Sequence, residues 1–434
     1  MKVAILGYGV QGRAAYDYWH PAHEVTICDR NEQLELPPGA RGQLGPEYLN
    51  HLDRFDLLVR SPALHPNDIT AANTPAILDK VTTVTNEFLR VCPTRNVIGV
   101  TGTKGKGTTC TLIARLLEAA GQRVHLGGNI GTPPLALLAD TIQANDWVVL
   151  ELANFQLIDL RTAPHIAVCL MVVPEHLDWH GTTKDYEQAK AQLFVHQTAD
   201  DIAIYYADNE ASQRIAAAGA GQKIPYYAPP GALIETDAVM IDGKRLCSTT
   251  DLKLLGKHNW QNVCAAVTAV WQITQDADAI RSVLTSFGGL PYRLELRREA
   301  AGVRYYNDSF AASPHTPIAA IEAVPSKKVM IIGGFDRHLK LDNLAADLVR
   351  LQDQVRKILL IGASADRTAQ VLKQHGFTNF EISKATDMAA IVRQAAGLAQ
   401  TGDAVVLSPG FPSFDMFKNF EERGRAFNQA VEQL

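Results

Sequence analysis

Residues 100–109 read VTGTKGKGTT, a run of glycines, lysines and hydroxyl side chains that could bind a phosphate group. Its glycines would let backbone N–H groups approach a ligand closely, and Lys106 could reach the β- and γ-phosphates of a nucleotide. A strict phosphate loop has Ser or Thr directly after the lysine. This chain has Gly107 there, with Thr108 and Thr109 next. We favour a nucleotide-binding loop, because a strand-like run precedes it and a helical pattern follows; the alternative is a solvated turn.

Three further residues of the same region have side chains suited to metal or phosphate chemistry. Glu151 ends the apolar run WVVLEL, where a phosphate-loop fold holds a magnesium-binding acid. His176 follows another apolar run, and Lys190 lies on a predicted helix fourteen residues later. Taken singly, they could be a surface acid, a polar loop residue and a solvated helix position. Their order along one α/β region favours a shared site.

A second glycine motif stands at the start of the chain. Gly7, Gly9 and Gly12 form GxGxxG directly after the apolar run VAIL, and Asp29 ends the next run, EVTICD. This is the dinucleotide-binding fingerprint, in which a helix N-terminus meets a pyrophosphate. The residues indicate NAD or FAD, or another diphosphate such as a UDP-sugar, or a turn that only packs.

Alternating strand and helix patterns must position these residues. Short apolar runs alternate with helical patterns along the whole chain, which predicts an α/β fold with parallel sheets. Turn-rich joints near 91–96 and 288–295 divide the chain into three predicted domains: 1–92, 93–293 and 294–434. Residues 225–256 look different, and we expect an antiparallel edge there.

Composition excludes several classes of function. The chain has 434 residues, a net charge of −5 and 47% hydrophobic residues, which argues against nucleic acid or an anionic membrane as a partner. No apolar run reaches the ~18 residues of a membrane span, and the N-terminus does not resemble a signal peptide. The six cysteines are scattered without metal-binding spacing, which favours a reduced, cytoplasmic protein.

The motifs taken together resemble the Mur ligase family, nearly from end to end. The C-terminal block and the fingerprint domain are most similar to the family member that adds glutamate, whereas the phosphate loop alone is shared with folylpolyglutamate synthases. The motifs that carry the resemblance are TGTKGKGTT, GGNIGTP, ELANFQL, PEHLDWHG, YEQAK, GKHNWQN, LPYRLE, YYNDS, IIGGFDR and LSPGFPSFDMFKNFEERG.

The resemblance implies a Rossmann-like N-terminal domain, a central phosphate-loop ATPase-type domain with a parallel or mixed sheet, and a Rossmann-like C-terminal α/β domain. The first domain would hold the UDP of UDP-N-acetylmuramoyl-L-alanine rather than NAD. Its expected contacts are Gly9, Val10, Gln11, Asp29 and Arg30, and Asn129 and His176 would contact the same substrate.

The resemblance also implies ATP and two Mg²⁺ ions. Lys190 matches a lysine that carbon dioxide carbamylates, and a carbamate is an anionic oxygen ligand suited to a hard cation. Lys106, Glu151, His176 and Lys190 would be catalytic, and the metal ligands would be Thr108, Glu151, His176 and Lys190. The expected ATP contacts are Gly102, Thr103, Lys104, Gly105, Lys106, Gly107, Thr108, Thr109, Asn262, Arg293 and Asp308.

The third domain would bind glutamate through Arg337, Ser413, Lys418 and Phe420. Many glutamate ligases have a lysine where this chain has Phe310, and some relatives with such a variant add the L-enantiomer. The resemblance therefore implies D-glutamate, with L-glutamate as the alternative.

The expected activity is an ATP-dependent amide ligase that works through an acyl phosphate and releases ADP and phosphate. It would be a cytoplasmic monomer in peptidoglycan precursor synthesis. The alternatives are an NAD-dependent dehydrogenase, a folylpolyglutamate synthase and a binding module that has lost turnover.

Overall fold

The computed structural model describes residues 1–434, apart from the side chain of His258. The chain divides into two compact units. The first unit comprises Met1–Asp251 and Gln261–Thr285, and the second comprises Leu252–Trp260 and Ser286–Leu434.

The first ninety residues form a parallel five-stranded sheet with three α-helices. They are β1 (Lys2–Leu6), α1 (Val10–Trp19), β2 (Glu24–Asp29), β3 (Arg41–Leu44), β4 (Leu57–Arg60), α2 (Pro66–Ala72), β5 (Val81–Thr82) and α3 (Val84–Val91). The strand order is β3-β2-β1-β4-β5. Four consecutive residues of β1, from Val3 to Leu6, are fully buried, as expected for a parallel strand covered on both faces.

A second parallel sheet carries the phosphate loop. Its elements are β6 (Val97–Thr101), α4 (Lys106–Ala119), β7 (Val124–Gly128), β8 (Trp147–Glu151), α5 (Asn154–Leu157), β9 (Ile166–Cys169), α6 (Leu177–His180), α7 (Thr183–Val195), β10 (Ile202–Tyr206), α8 (Glu210–Ala216) and β11 (Gln222–Tyr226). The order is β11-β10-β9-β6-β8-β7. Since β9, β6, β8 and β7 are neighbours, the residues that follow them share one edge of the sheet, where ligands bind in such folds.

The expected antiparallel segment is confirmed between 225 and 256. The strands β12 (Leu233–Glu235), β13 (Ala238–Ile241) and β14 (Lys244–Ser248) pair in antiparallel order. Two helices follow, α9 (His258–Trp271) and α10 (Ala277–Leu284).

The last sheet is mixed. Its elements are β15 (Glu295–Ala300), β16 (Val303–Asn307), α11 (Thr316–Ala323), β17 (Lys328–Gly333), α12 (Asp342–Arg350), β18 (Val355–Ile361), α13 (Ala365–Gln374), β19 (Phe380–Ile382), α14 (Met388–Leu398), β20 (Ala404–Leu407) and α15 (Phe420–Glu432). The order is β15-β16-β20-β17-β18-β19, and only the hairpin of β15 with β16 is antiparallel.

The predicted α/β class with parallel sheets is confirmed, whereas the three domain boundaries stay a prediction. Among the described residues, no helix is both long and apolar enough to span a bilayer. Short 3₁₀ helices occupy Leu52–Arg54, Pro75–Lys80, Pro134–Asp140, Thr249–Asp251 and Gln352–Gln354.

Candidate active site

The glycine loop connects β6 to α4, and its glycines are required by the backbone. Gly102 has φ +145°, and a Cβ there would lie 2.6 Å from Cβ of Leu170. Gly105 has φ +89° and precedes the first turn of α4, and a Cβ there would collide with the side-chain oxygen of Asn262. The loop therefore leads directly into the N-terminus of a fourteen-residue helix, whose first N–H groups suit an anion.

Two lysines converge on one carbonyl of this loop. Lys106 Nζ donates to the carbonyl oxygens of Gly102 and Thr103 at 3.0 Å each. Lys190 Nζ, on α7, donates to the same Gly102 oxygen at 2.9 Å. Because both ammonium groups lie at one oxygen atom, the charge of Lys106 disfavours protonation of Lys190.

Lys190 is fully buried, which is rare for a lysine. Its side chain is 0% exposed, and its Nζ lies 4.5 Å from the ring centroid of Tyr186. Burial, and then the charge of Lys106, lower the pKa of Lys190 to about 7. A substantial fraction of the amine is therefore neutral at neutral pH.

Glu151 and Asn129 lie together at the carboxyl ends of β8 and β7. Asn129 Nδ2 donates to Glu151 Oε1 at 2.9 Å, and the Asn129 amide donates to the Glu151 carbonyl at 2.8 Å. Glu151 is buried, while Asn129 is exposed. The structure thus joins two residues for which the sequence predicted separate roles, as a metal ligand and as a substrate contact.

The two threonines after Gly107 differ in their availability. Thr109 is fully buried, and its Oγ1 lies 3.4 Å from Asn262 Oδ1. Thr108 is half-buried. Since Thr109 is occupied by packing and by Asn262, Thr108 is the better candidate for the hydroxyl that the motif lacks after Lys106. Asn262, expected at the adenine, lies against this loop.

His176 lies beside a cluster of aromatic rings. It has φ +56° and precedes α6, and its ring centroid lies 4.9 Å from that of Phe155. The ring of Phe155 in turn packs against that of Trp179, and the ring centroids of Trp179 and His65 are 4.3 Å apart. In the part of the chain that the structure describes, no three His, Cys, Asp or Glu side chains are grouped so that they could hold a metal ion.

In the fingerprint turn of the first sheet, the acidic residue hydrogen-bonds to the backbone of the turn itself. Asp29 Oδ2 accepts the backbone N–H of Tyr8 at 2.8 Å, so this carboxylate secures the turn. Gln11 Nε2 donates to the carbonyl of Gly128 at 3.1 Å, and its buried Oε1 has no hydrogen-bond partner in the structure. Gly9 precedes α1, while Val10 and Arg30 are exposed.

Sequence reasoning missed a buried ion pair in the first unit. Arg60 ends β4 and is 1% exposed. Its Nε and Nη2 donate to the two carboxylate oxygens of Asp159 at 2.8 Å each, and the guanidinium also donates to the carbonyls of Ser61, Leu64 and Phe155. An arginine that ends an otherwise apolar strand, DLLVR, was the only available signal.

In the second unit, Arg293 and Asp308 lie at neighbouring loops. The guanidinium of Arg293 stacks on the ring of Phe310, with Cζ 3.6 Å from the ring centroid. Asp308 accepts hydrogen bonds from Ser408 Oγ at 2.7 Å and from the Leu294 amide at 3.1 Å. Burial raises the pKa of Asp308 to about 7.

The residues predicted to bind glutamate lie on three segments of the second unit. Ser413 is buried in the loop after β20, while Lys418 and Arg337 are exposed. Phe420 begins α15, and its ring centroid lies 4.9 Å from that of Phe310. Their joint role in glutamate binding stays a prediction.

Arg423 is a further residue that the sequence did not reveal. Its guanidinium is buried and donates to Ser309 Oγ, to the Ser309 carbonyl and to the Phe411 carbonyl at 2.8–3.0 Å. It ties the loop after β16 to the loop after β20.

Comparison with known proteins defines the class to which this arrangement belongs. The Mur ligase middle domain family matches residues 100–270, and the Mur ligase glutamate ligase domain family matches residues 292–411. The chain belongs to the Mur ligase family, whose members are ATP-dependent amide ligases.

Two relatives that match the full length of the chain carry the same enzyme name. The chain is 34% identical to the UDP-N-acetylmuramoylalanine–D-glutamate ligase of Acetivibrio thermocellus, over 100% of this chain and 96% of that protein. It is 32% identical to the enzyme of the same name from Clostridium kluyveri, over 100% of this chain and 97% of that protein. These relatives do not favour the dehydrogenase interpretation of the N-terminal fingerprint.

Solved structures agree on the fold. The UDP-N-acetylmuramate-alanine ligase of Thermotoga maritima superposes with a TM-score of 0.62 at 17% identity, covering 100% of this chain and 99% of that one. The MurF ligase of the same organism, in complex with ADP, gives a TM-score of 0.60 at 18% identity, covering 99% and 95%.

Proposed function

We propose that this chain joins D-glutamate to UDP-N-acetylmuramoyl-L-alanine with the hydrolysis of ATP, a cytoplasmic step of peptidoglycan precursor synthesis. The observation that carries the proposal is the convergence of Lys106 and Lys190 on the carbonyl of Gly102, within a loop that opens α4. The full-length similarity to D-glutamate ligases supports the choice of substrates.

In the proposed reaction, the terminal carboxylate of the muramoyl substrate attacks the γ-phosphorus of ATP, the bond to the β,γ-bridging oxygen breaks, ADP leaves, and an acyl phosphate forms. Lys106 exchanges its two carbonyl partners for phosphate oxygens and offsets the charge that spreads over the transferred group. The amine of glutamate then attacks the activated carbonyl carbon, phosphate leaves, and an amide bond forms.

In this proposal, Thr108, Glu151, His176 and a carbamylated Lys190 would hold two magnesium ions. Glu151 and His176 are the only carboxylate and imidazole in the predicted ligand set, and Thr108 adds a hydroxyl. Burial holds the pKa of Lys190 at about 7, and the neutral amine is the form that reacts with carbon dioxide. When bound, magnesium would stabilise negative charge on the phosphate oxygens.

The remaining residues bind and orient the substrates in this proposal. Asn129, fixed by Glu151, would contact the muramoyl group, and the turn at Gly9 and Gln11 would contact the UDP. In the second unit, Arg293 would bind phosphate as a planar, bidentate donor. The exposed Arg337 and the buried Ser413 would bind the carboxylates of glutamate.

Phosphate release by the purified protein tests the proposal. We expect release only when ATP, Mg²⁺, UDP-N-acetylmuramoyl-L-alanine and D-glutamate are all present, and no release by Lys106→Met. Lys184→Met, which changes an exposed lysine of α7, is the matched control and should retain most of the activity. Release with L-glutamate alone would refute the proposed enantiomer, and release without either amino acid would refute the ligase.

A further inference from the structure

The backbone around Arg293 is held in an unfavourable conformation. Tyr292 and Leu294, on either side of it, have φ of +62° and +50°. This left-handed region is unfavourable for residues with a Cβ, by roughly 1 kcal/mol or more each, and persists only where surrounding contacts enforce it.

Three contacts enforce it here. The Tyr292 carbonyl accepts the Phe310 amide at 3.0 Å, and the Leu294 amide donates to Asp308 Oδ1 at 3.1 Å. Gly424 of α15 lies directly under the Tyr292 ring, where any Cβ would collide. The segment 292–294 is thus fixed to the loop 308–310 at both ends, with the Arg293 side chain between the two fixed points.

Phe310 supplies the surface on which the Arg293 side chain lies. The guanidinium carbon is 3.6 Å from the ring centroid, the shortest cation-to-ring distance among the described residues. The same ring forms an edge-to-face pair with Phe420, with the ring centroids 4.9 Å apart and an interplanar angle of 82°. Although Phe310 is 42% exposed, its ring is therefore oriented from both sides.

A guanidinium that stacks on a ring keeps the N–H groups at its perimeter directed outward in one plane. That plane matches two oxygens of a phosphate group. We propose that Phe310 is a positioning residue, which orients the Arg293 guanidinium for a nucleotide phosphate before the nucleotide binds. This inference rests on the proposed function, because the phosphate is that of ATP.

The test compares Phe310→Leu, which removes the ring, with Phe310→Tyr, which retains it. We expect Phe310→Leu to lower kcat/KM for ATP by about 2- to 30-fold, the range of a cation–ring interaction, while KM for glutamate stays within about twofold. Phe310→Tyr should stay within about twofold of the unmodified protein. Phe335→Leu is the matched control, because Phe335 is equally exposed and contacts another ring, that of Phe414.

A double-mutant comparison separates positioning from general packing. In an Arg293→Ala background, Phe310→Leu should change kcat/KM for ATP by less than about twofold, because the group that the ring orients is gone. An equal loss in both backgrounds would overturn the inference. So would a change in KM for glutamate alone, or an unchanged kcat/KM for ATP in Phe310→Leu.

Binding of trinitrophenyl-ATP, followed by fluorescence, keeps this test independent of turnover. If the unmodified protein releases no phosphate, the proposed reaction fails. Weaker probe binding by Phe310→Leu, but not by Phe310→Tyr, would then still support the orientation of Arg293 by Phe310. Equal probe binding by all three proteins would overturn it.

Discussion

Replacing Arg60 by methionine should destabilise the first unit more than any surface charge change. The substitution retains most of the side-chain volume but removes a guanidinium that is 1% exposed and makes five hydrogen bonds. It leaves the Asp159 carboxylate, itself 23% exposed, without its bidentate partner, and it leaves three carbonyls to find other donors.

The expected loss follows from this geometry. Removing one partner of a buried, hydrogen-bonded ion pair costs about 3–5 kcal/mol, because the remaining charge stays desolvated. Asp159→Asn should cost less, about 1–3 kcal/mol, since Arg60 keeps its carbonyl acceptors. The double variant should lose at least about 1 kcal/mol less than the sum of the two single losses.

Urea unfolding with calorimetry would measure these changes, and Arg214→Met is the matched control. Arg214 pairs with Glu187 at 3.0 Å in the same unit, but its side chain is 58% exposed, so its loss should cost about 0–1 kcal/mol. If Arg60→Met fell within 1 kcal/mol of this control, or if the Arg60 and Asp159 effects simply added, the assignment of a stabilising buried pair would be wrong.

Three further changes have defined outcomes. Gly105→Ala should raise KM for ATP by at least about tenfold, because a Cβ at φ +89° would strike the Asn262 side chain. Gly121→Ala, at φ +78° in open space, should cost about 1 kcal/mol of stability but leave KM for ATP unchanged, and equal KM values for the two variants would contradict this account. Lys190→Met should abolish phosphate release, whereas Lys184→Met, at an exposed position of the same helix, should not. Because the pKa of Lys190 is about 7, the activity of the unmodified protein should fall about tenfold per pH unit below pH 7 when carbon dioxide is limiting. An activity that did not change with pH in this range would exclude a requirement for the neutral amine. Burial lowers the pKa of Lys328 to about 8, so the folded protein binds fewer protons than the unfolded chain between pH 8 and 10.5. The free energy of unfolding should therefore rise by about 3 kcal/mol from this group as the pH is raised over that range. Lys328→Met should remove this contribution to the slope of the unfolding free energy against pH, and an unchanged slope would contradict the assignment.

Features encoded by neighbouring residues could be predicted from the sequence. The strand before the phosphate loop, the helix that begins at Lys106 and the helix that carries Lys190 are set by local apolar periodicity and by glycine, and the structure confirms all three. The burial of Lys190 had a signal as well. It lies four residues after Tyr186 and three before Leu193, so it shares the buried face of α7.

Contacts between distant segments could not be predicted in this way. Arg60 and Asp159 are 99 residues apart, and Thr109 meets Asn262 across 153 residues. In neither pair does one residue carry a local pattern that specifies the other, because each pairing depends on how elements distant in the sequence pack together. The positive φ values around Arg293 are likewise enforced by loops elsewhere in the chain, so the residue types at 292–294 give no indication of them.

The hydrogen bond from Gln11 to the Gly128 carbonyl has a thermodynamic consequence. Gly128 is followed by Asn129, whose side chain is bonded to Glu151, so the fingerprint turn and the carboxylate of β8 share one connected set of polar contacts. A ligand that immobilised Gln11 would also restrict the turn at Asn129, and so would lower the entropy that a second ligand at Glu151 must remove. By linkage, each ligand would then strengthen the binding of the other by the same factor, whichever arrived first.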